Sequence, residues 1–235
     1  SSFIYAKDKT NEDVLIKQIS GETSRIWVDI EDIKQYTLDA FVATEDERFF
    51  EHNGVDWKRT MSVTFNAVFK GGTDGGSTIT QQTVKLISGQ DEHSTSRKVQ
   101  EWFSAMSLEQ DLTKDEILEL YINLAPMGNN YVGIQAAAQN YFGKDAKDLT
   151  LPECALLAGL PKSPSSYNPL RETGRRNALR RMRIILGMMR EQNKITEEEY
   201  QAALNTEIVF KSRDTKSVQI NSYFTEYVIS EVITD

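Results

Sequence analysis

ATEDERFFEHNG, residues 43–54, places an acid where an apolar residue is expected. At about 100° per residue, Phe41, Val42 and Phe49 all fall within about 60° of Leu38, and Glu45 lands near the middle of that stripe. The periodicity predicts a helix with a carboxylate on its apolar side. One reading is a carboxylate paired with nearby Arg48 or a shifted helix boundary. The other is a catalytic acid or base whose pKa is raised by desolvation, and that reading needs a partner elsewhere in the chain.

Helical punctuation continues outward from this stretch. Thr113 with Glu116, Thr150 with Glu153, and Thr196 with Glu199 are capping boxes, predicting helices over 114–124, 151–159 and 197–204. The segment 171–192 reads as a helix with a basic leading half and an apolar trailing face. LPKSPSSYNPL, 160–170, holds three of the five prolines and predicts an irregular connector. FIYA, VLIKQI and RIWVDI, within 3–35, lean toward short strands in a hairpin or arm. The fold class is mainly α.

With 235 residues and 39% hydrophobic side chains, the chain can build a sizeable core. A net charge of -8 argues against a nucleic-acid partner bound across a broad basic face. The single cysteine, Cys154, excludes an intrachain disulfide and a cysteine-built zinc site. No apolar run approaches the roughly 20 residues that span a bilayer. The abrupt first and last residues suggest a piece of something longer.

KGGTDGGSTITQQTVK, 70–85, runs from a glycine-rich loop into a helix whose amino terminus favours an anion. Gly76 stands before Ser77 where a Walker loop needs lysine, so a nucleotide loop is excluded. Thr78, Gln81, Gln82 and Lys85 share one helical face, opposite Ile79, Thr83, Leu86 and Ile87. That face suits a phosphate or sugar, and equally a solvated surface. In SRKVQEWFSAM, 96–106, Val99, Trp102, Phe103 and Met106 predict the buried stripe, with Glu101 outward between Arg97 and Lys98. This is either an ordinary ion-pair helix or a pyrophosphate site, with a divalent metal on Glu101. His52 follows a helix end and reads as its cap; two histidines give little support for a Ser-His-Asp triad.

EDERFFEHNG, GGSTITQQTVK, RKVQE, KDEILELYIN and RRMRIIL resemble, in order and spacing, the five motifs of the peptidoglycan glycosyltransferases. GNNYVGIQAAAQNYFGK and LLAGLPKSPSSYNP are similar to stretches between its fourth and fifth motifs. The resemblance implies a lysozyme-like, mostly helical fold with a large head and a small membrane-facing jaw that includes MSVTFNAVF, 61–69. By itself such a stretch is more often an ordinary core strand or helix, and its composition does not separate that from a membrane contact. An N-terminal arm is expected over 1–35, the glycosyltransferase domain over 36–210, and from 211 to 235 a linker toward the transpeptidase domain of a class A penicillin-binding protein. The absence of any Ser-x-x-Lys agrees with that domain lying outside the chain.

The implied activity is polymerisation of lipid II, with a growing lipid-linked glycan as donor and inversion at the anomeric carbon. The implied setting is the outer face of the bacterial cytoplasmic membrane, among other cell-wall synthesis proteins. Carried over by position, Glu45 is the general base, Asp46 supports it, and Glu101 is the second acid, near the pyrophosphate and an optional Mg2+ or Mn2+ ion, with no cofactor obligatory. Gln82, Lys85 and Lys98, with Ser77 and Arg97, are implied contacts to phosphates and sugars. His93 stands where the family usually has lysine or arginine, which implies weaker pyrophosphate binding by a neutral imidazole. Met182 departs from the usual arginine or glutamine of the fifth motif, where Arg181 and its apolar neighbours suit a structural role.

Overall fold

The computed structural model describes residues 2–7, 13–19, 24–70, 75–89 and 95–211. His93, the loop before Gly75 and the expected linker beyond 211 lie outside these residues. Among them the architecture is helical: α1 (Gln35–Glu45), α2 (Trp57–Lys70), α3 (Ile79–Ser88), α4 (Thr95–Asp111), α5 (Lys114–Leu124), α6 (Ile134–Tyr141), α7 (Leu151–Ala158), α8 (Glu172–Glu191) and α9 (Glu197–Asn205). Strands β1 (Ser2–Lys7) and β2 (Asp13–Ile19) pair antiparallel. Of RIWVDI, only Arg25 is in a strand: β3 (Ser24–Arg25) pairs parallel with β4 (Tyr131–Val132).

All three expected capping boxes are formed, so α5, α7 and α9 begin where the sequence predicts. A fourth, Thr78 with Gln81, opens α3. The centre of the core is α7, whose residues Pro152 to Ala158 are all buried, and which packs on α1 and α8. A helix apolar on every side is stable only when enclosed. Its one acid, Glu153, is held by Lys144 Nζ at 2.8 Å and 3.0 Å and by the Thr150 cap. Met182 is buried in α8, so this unusual residue of the fifth motif fills core volume.

α3 packs on both α5 and α4. Two glycines permit the close approaches that set these helices. Gly133, at φ +83°, lies so near the end of α5 that a Cβ would stand 2.6 Å from the Asn123 carbonyl oxygen. Gly54, at φ +88°, would place a Cβ 2.7 Å from the Ala105 carbonyl in α4. Both conformations favour glycine sterically.

Candidate active site

The stripe that runs from Leu38 to Phe49 is not one helix: α1 ends at Glu45, and Phe49 reaches the core from the turn that follows. Glu45 is half-buried rather than enclosed. Arg48 does not pair with it. The Arg48 guanidinium instead makes three bonds of 2.7–3.0 Å to the Asp56 carboxylate. Burial pushes Asp56 up, but the Arg59 backbone N–H and the Arg48 guanidinium outweigh it and hold the carboxyl below its ordinary range.

Gln82 of α3 supplies Glu45's partner, its Nε2 donating to Glu45 Oε2 at 3.0 Å. Tyr121 of α5 donates through Oη to Gln82 Oε1 at 3.2 Å. Burial, with the charge of Glu45 added, raises the Tyr121 phenol well above its ordinary range, so it remains a donor. Arg59 binds the Glu45 backbone carbonyl at 2.5 Å and the Gly75 carbonyl at 3.0 Å, tying the end of α1 to the loop before α3.

Asp46 is fully buried. Its Oδ2 accepts from the Ile79 N–H, at the start of α3, at 3.0 Å and lies 2.9 Å from His52 Nε2. His52 therefore braces Asp46 and does not cap a helix. Behind it, Glu109 accepts from Thr80 Oγ1 at 2.6 Å and from Lys114 Nζ at 2.7 Å, and Lys114 also donates to the His52 carbonyl at 2.6 Å.

The face of α4 departs in part from the sequence expectation: Trp102 and Met106 of the expected stripe are half-buried, but its other two members are not. Phe103 is 66% exposed and Val99 39%, whereas Arg97, Lys98 and Glu101 are partly buried and Ala105 wholly so. Lys98 Nζ bridges Ser77 Oγ at 2.8 Å and Glu101 Oε1 at 2.5 Å. Lys85, Arg97 and Glu101 line one cleft of about 320 Å³ with Val84, Ser88, Gln100 and Ser104. A second cleft, about 430 Å³, opens beside the end of α1, between Thr44, Glu47, Lys58, Arg59, Ser62 and Met188. The polar stripe of α3 divides: Gln82 and Lys85 face clefts or acids, whereas Thr78 and Gln81 are spent on the helix cap.

Glu101 carries its own ammonium partner, and among the described residues no group of three or more His, Cys, Asp or Glu could hold a metal ion. This donor set does not fit a resident divalent cation. Tyr121, Arg59, His52, Glu109 and Lys114 escape a motif-by-motif reading of chemistry. The signal for Tyr121 was its place in KDEILELYIN, beside an otherwise apolar face.

Residues 12–190 match the family model described as Transglycosylase. The chain is 42% identical over 214 residues to penicillin-binding protein 1A of Haemophilus influenzae, covering 91% of this chain and 25% of that protein. It is 44% identical over 181 residues to penicillin-binding protein 1A of Escherichia coli, covering 77% and 21% respectively. The crystal structure of the Haemophilus influenzae protein superposes with a TM-score of 0.56 at 30% identity, covering 94% of this chain and 22% of that one. The helical fold and its paired acids and cations thus go with a glycosyltransferase. The chain belongs to the transglycosylase family, and it spans about a fifth to a quarter of the length of these curated relatives.

Proposed function

We propose that this chain polymerises lipid II into β-1,4-linked glycan for the bacterial cell wall. The observation that carries the reading is that α3 serves both acids: Gln82 binds Glu45, and Ser77, just before the helix, shares Lys98 with Glu101. Glu45 takes the proton from the 4-hydroxyl of the incoming lipid II as that oxygen attacks the anomeric carbon of the lipid-linked glycan. The bond to the pyrophosphate breaks with inversion. Lys98, Lys85 and Arg97 offset the charge that grows on the leaving pyrophosphate, so protonation of that group is not required. Glu101 holds Lys98 in place for this task, and Asp46 fixes the turn behind the base. The 1–35 arm, the 36–210 catalytic domain and the 211–235 linker remain the domain division we favour.

A membrane setting accounts for the exposed apolar surface of α2 and α4. Trp57 is 49% exposed, Met61 70% and Phe103 66%, and the rings of Trp57 and Trp102 meet edge to face at 5.2 Å. Aromatic and apolar side chains in such a patch favour the lipid interface. Among the described residues no helix is long and apolar enough to cross a membrane. The patch therefore serves as a surface contact on the outer face of the cytoplasmic membrane, where lipid II and other cell-wall synthesis proteins are met.

The test is incubation with lipid II followed by analysis of the glycan product. Wild type should give polymer, and Glu45→Gln should give none while unfolding at the wild-type temperature. Polymer from the Gln variant at the wild-type rate would refute the base assignment. Fragments released from purified cell wall without any lipid-linked donor would instead indicate a lytic enzyme.

A further inference from the structure

We infer that Tyr121 is a positioning residue for the transfer reaction, acting on Glu45 through the orientation of the Gln82 side-chain amide. The inference rests on the reading of Glu45 as the base. A glutamine amide has a donor end and an acceptor end of nearly equal size, so packing alone does not choose between its two orientations. Here the Glu45 carboxylate, which only accepts, takes the donor end, and the Tyr121 phenol anchors the acceptor end. Tyr121 is fully buried, and its Oη donates to Gln82 Oε1 at 3.2 Å, with Gln82 Nε2 toward Glu45 Oε2 at 3.0 Å.

The reverse orientation would set the amide oxygen against the acceptor-only carboxylate, a repulsive contact, so what Tyr121 adds is a second point of attachment that holds the amide in place. Tyr121 is itself fixed from α1, its ring meeting that of Phe41 edge to face at 5.9 Å. The phenol, the amide and the carboxylate come from three different helices, so the relay also sets the spacing of α5, α3 and α1 at the site. Among the described residues Gln82 is the only side-chain donor to the Glu45 carboxylate, and it reaches one oxygen. Among the described residues no side chain bonds the other oxygen, Oε1, and we assign it to the hydroxyl of the substrate.

Tyr121→Phe removes the oxygen and keeps the ring. Without its anchor the Gln82 amide is held at one end only, and the Glu45 carboxylate loses part of a hydrogen bond that favours its charged form. We expect kcat for glycan polymerisation to fall about fivefold to tenfold, the worth of roughly one hydrogen bond. KM for lipid II should stay within about twofold, and the acidic limb of the kcat profile should move to higher pH. Tyr141→Phe is the matched control. Its buried Oη donates to the Met127 carbonyl at 2.8 Å, so the loss costs stability without reaching Glu45. That variant should keep the wild-type pH profile.

The relay is also read without turnover, from the side-chain amide resonances of Gln82 in 15N-labelled protein. In wild type they should be sharp and slow to exchange with solvent, and in Tyr121→Phe averaged and fast. An unchanged Gln82 signal in Tyr121→Phe, or a kcat loss with the acidic limb in its wild-type place, would overturn the inference. A Gln82 signal that responds in a wild-type protein unable to polymerise lipid II would preserve the relay and sink the proposed function instead.

Discussion

Asp46→Ala tests whether the turn behind Glu45 is braced by one buried carboxylate. The Asp46 side chain is fully buried, and a single oxygen, Oδ2, serves the Ile79 N–H at 3.0 Å and His52 Nε2 at 2.9 Å. Bonds to a charged group contribute about 1.5–3 kcal/mol each. Their sum is not the expected loss, because removing the acid also removes the cost of burying it. What stays uncompensated is the orphaned Ile79 N–H at the start of α3 and the lost tie to His52, together about 2–4 kcal/mol. For a domain of this size that lowers the unfolding midpoint by roughly 5–15 °C.

Asp46→Asn should lose about half as much, because an amide oxygen in the place of Oδ2 still accepts from both Ile79 and His52 but carries no charge. Urea and thermal unfolding followed by tryptophan fluorescence give the stability, and turnover of lipid II measured where both proteins are folded gives the consequence at the site. Activity should fall by more than the folded fraction, since α3 carries Gln82. An Ala variant within about 0.5 kcal/mol of wild type would show that the brace lies elsewhere.

Gly54→Ala should destabilise by more than about 3 kcal/mol, because the new Cβ meets α4 backbone at 2.7 Å from a φ of +88°; chemical denaturation measures it. Asp56, held below its ordinary 3.8, contributes stability that is present above that pH and lost as pH falls through the folded value. The stability gap between wild type and Asp56→Asn should therefore be full at neutral pH and close below about pH 4 in an acid-unfolding series. Lys98→Met should lower kcat/KM for lipid II by about two orders of magnitude or more, with Lys98→Arg recovering part of it; wild-type turnover in the Met variant would remove Lys98 from the leaving-group side.

The features legible from sequence were those decided within one turn of chain. A capping box is a local contest between side chain and backbone, so Thr113, Thr150 and Thr196 announce their helices without tertiary context. α4 was misread because periodicity finds two faces and then assumes that the apolar one is inside. Here the inward face carries Lys98 and Glu101 against Ser77, and Phe103 and Val99 face outward. At a cleft wall the rule inverts, since polar groups gather where a charged substrate binds and apolar ones where another apolar phase covers them. The Glu45 partner was equally out of reach, because Arg48 lies three residues away and Gln82 thirty-seven. Only the fold brings the second of these closer than the first.

The two acids stand on unequal footings, and the inequality suits the division of labour we propose. Glu45 accepts from a neutral amide and has no side-chain cation bonded to it among the described residues, so the carboxylate can take up a proton without breaking an ion pair. Glu101 is bonded to an ammonium that also reaches Ser77, which makes it the better anchor for positive charge. Exchanging the roles would require Glu101 to give up Lys98 when charge is developing on the leaving group, when that cation is most needed. One helix with glutamine and lysine on adjoining turns, preceded by a serine, is enough to keep the proton acceptor and the anion site apart yet on one surface.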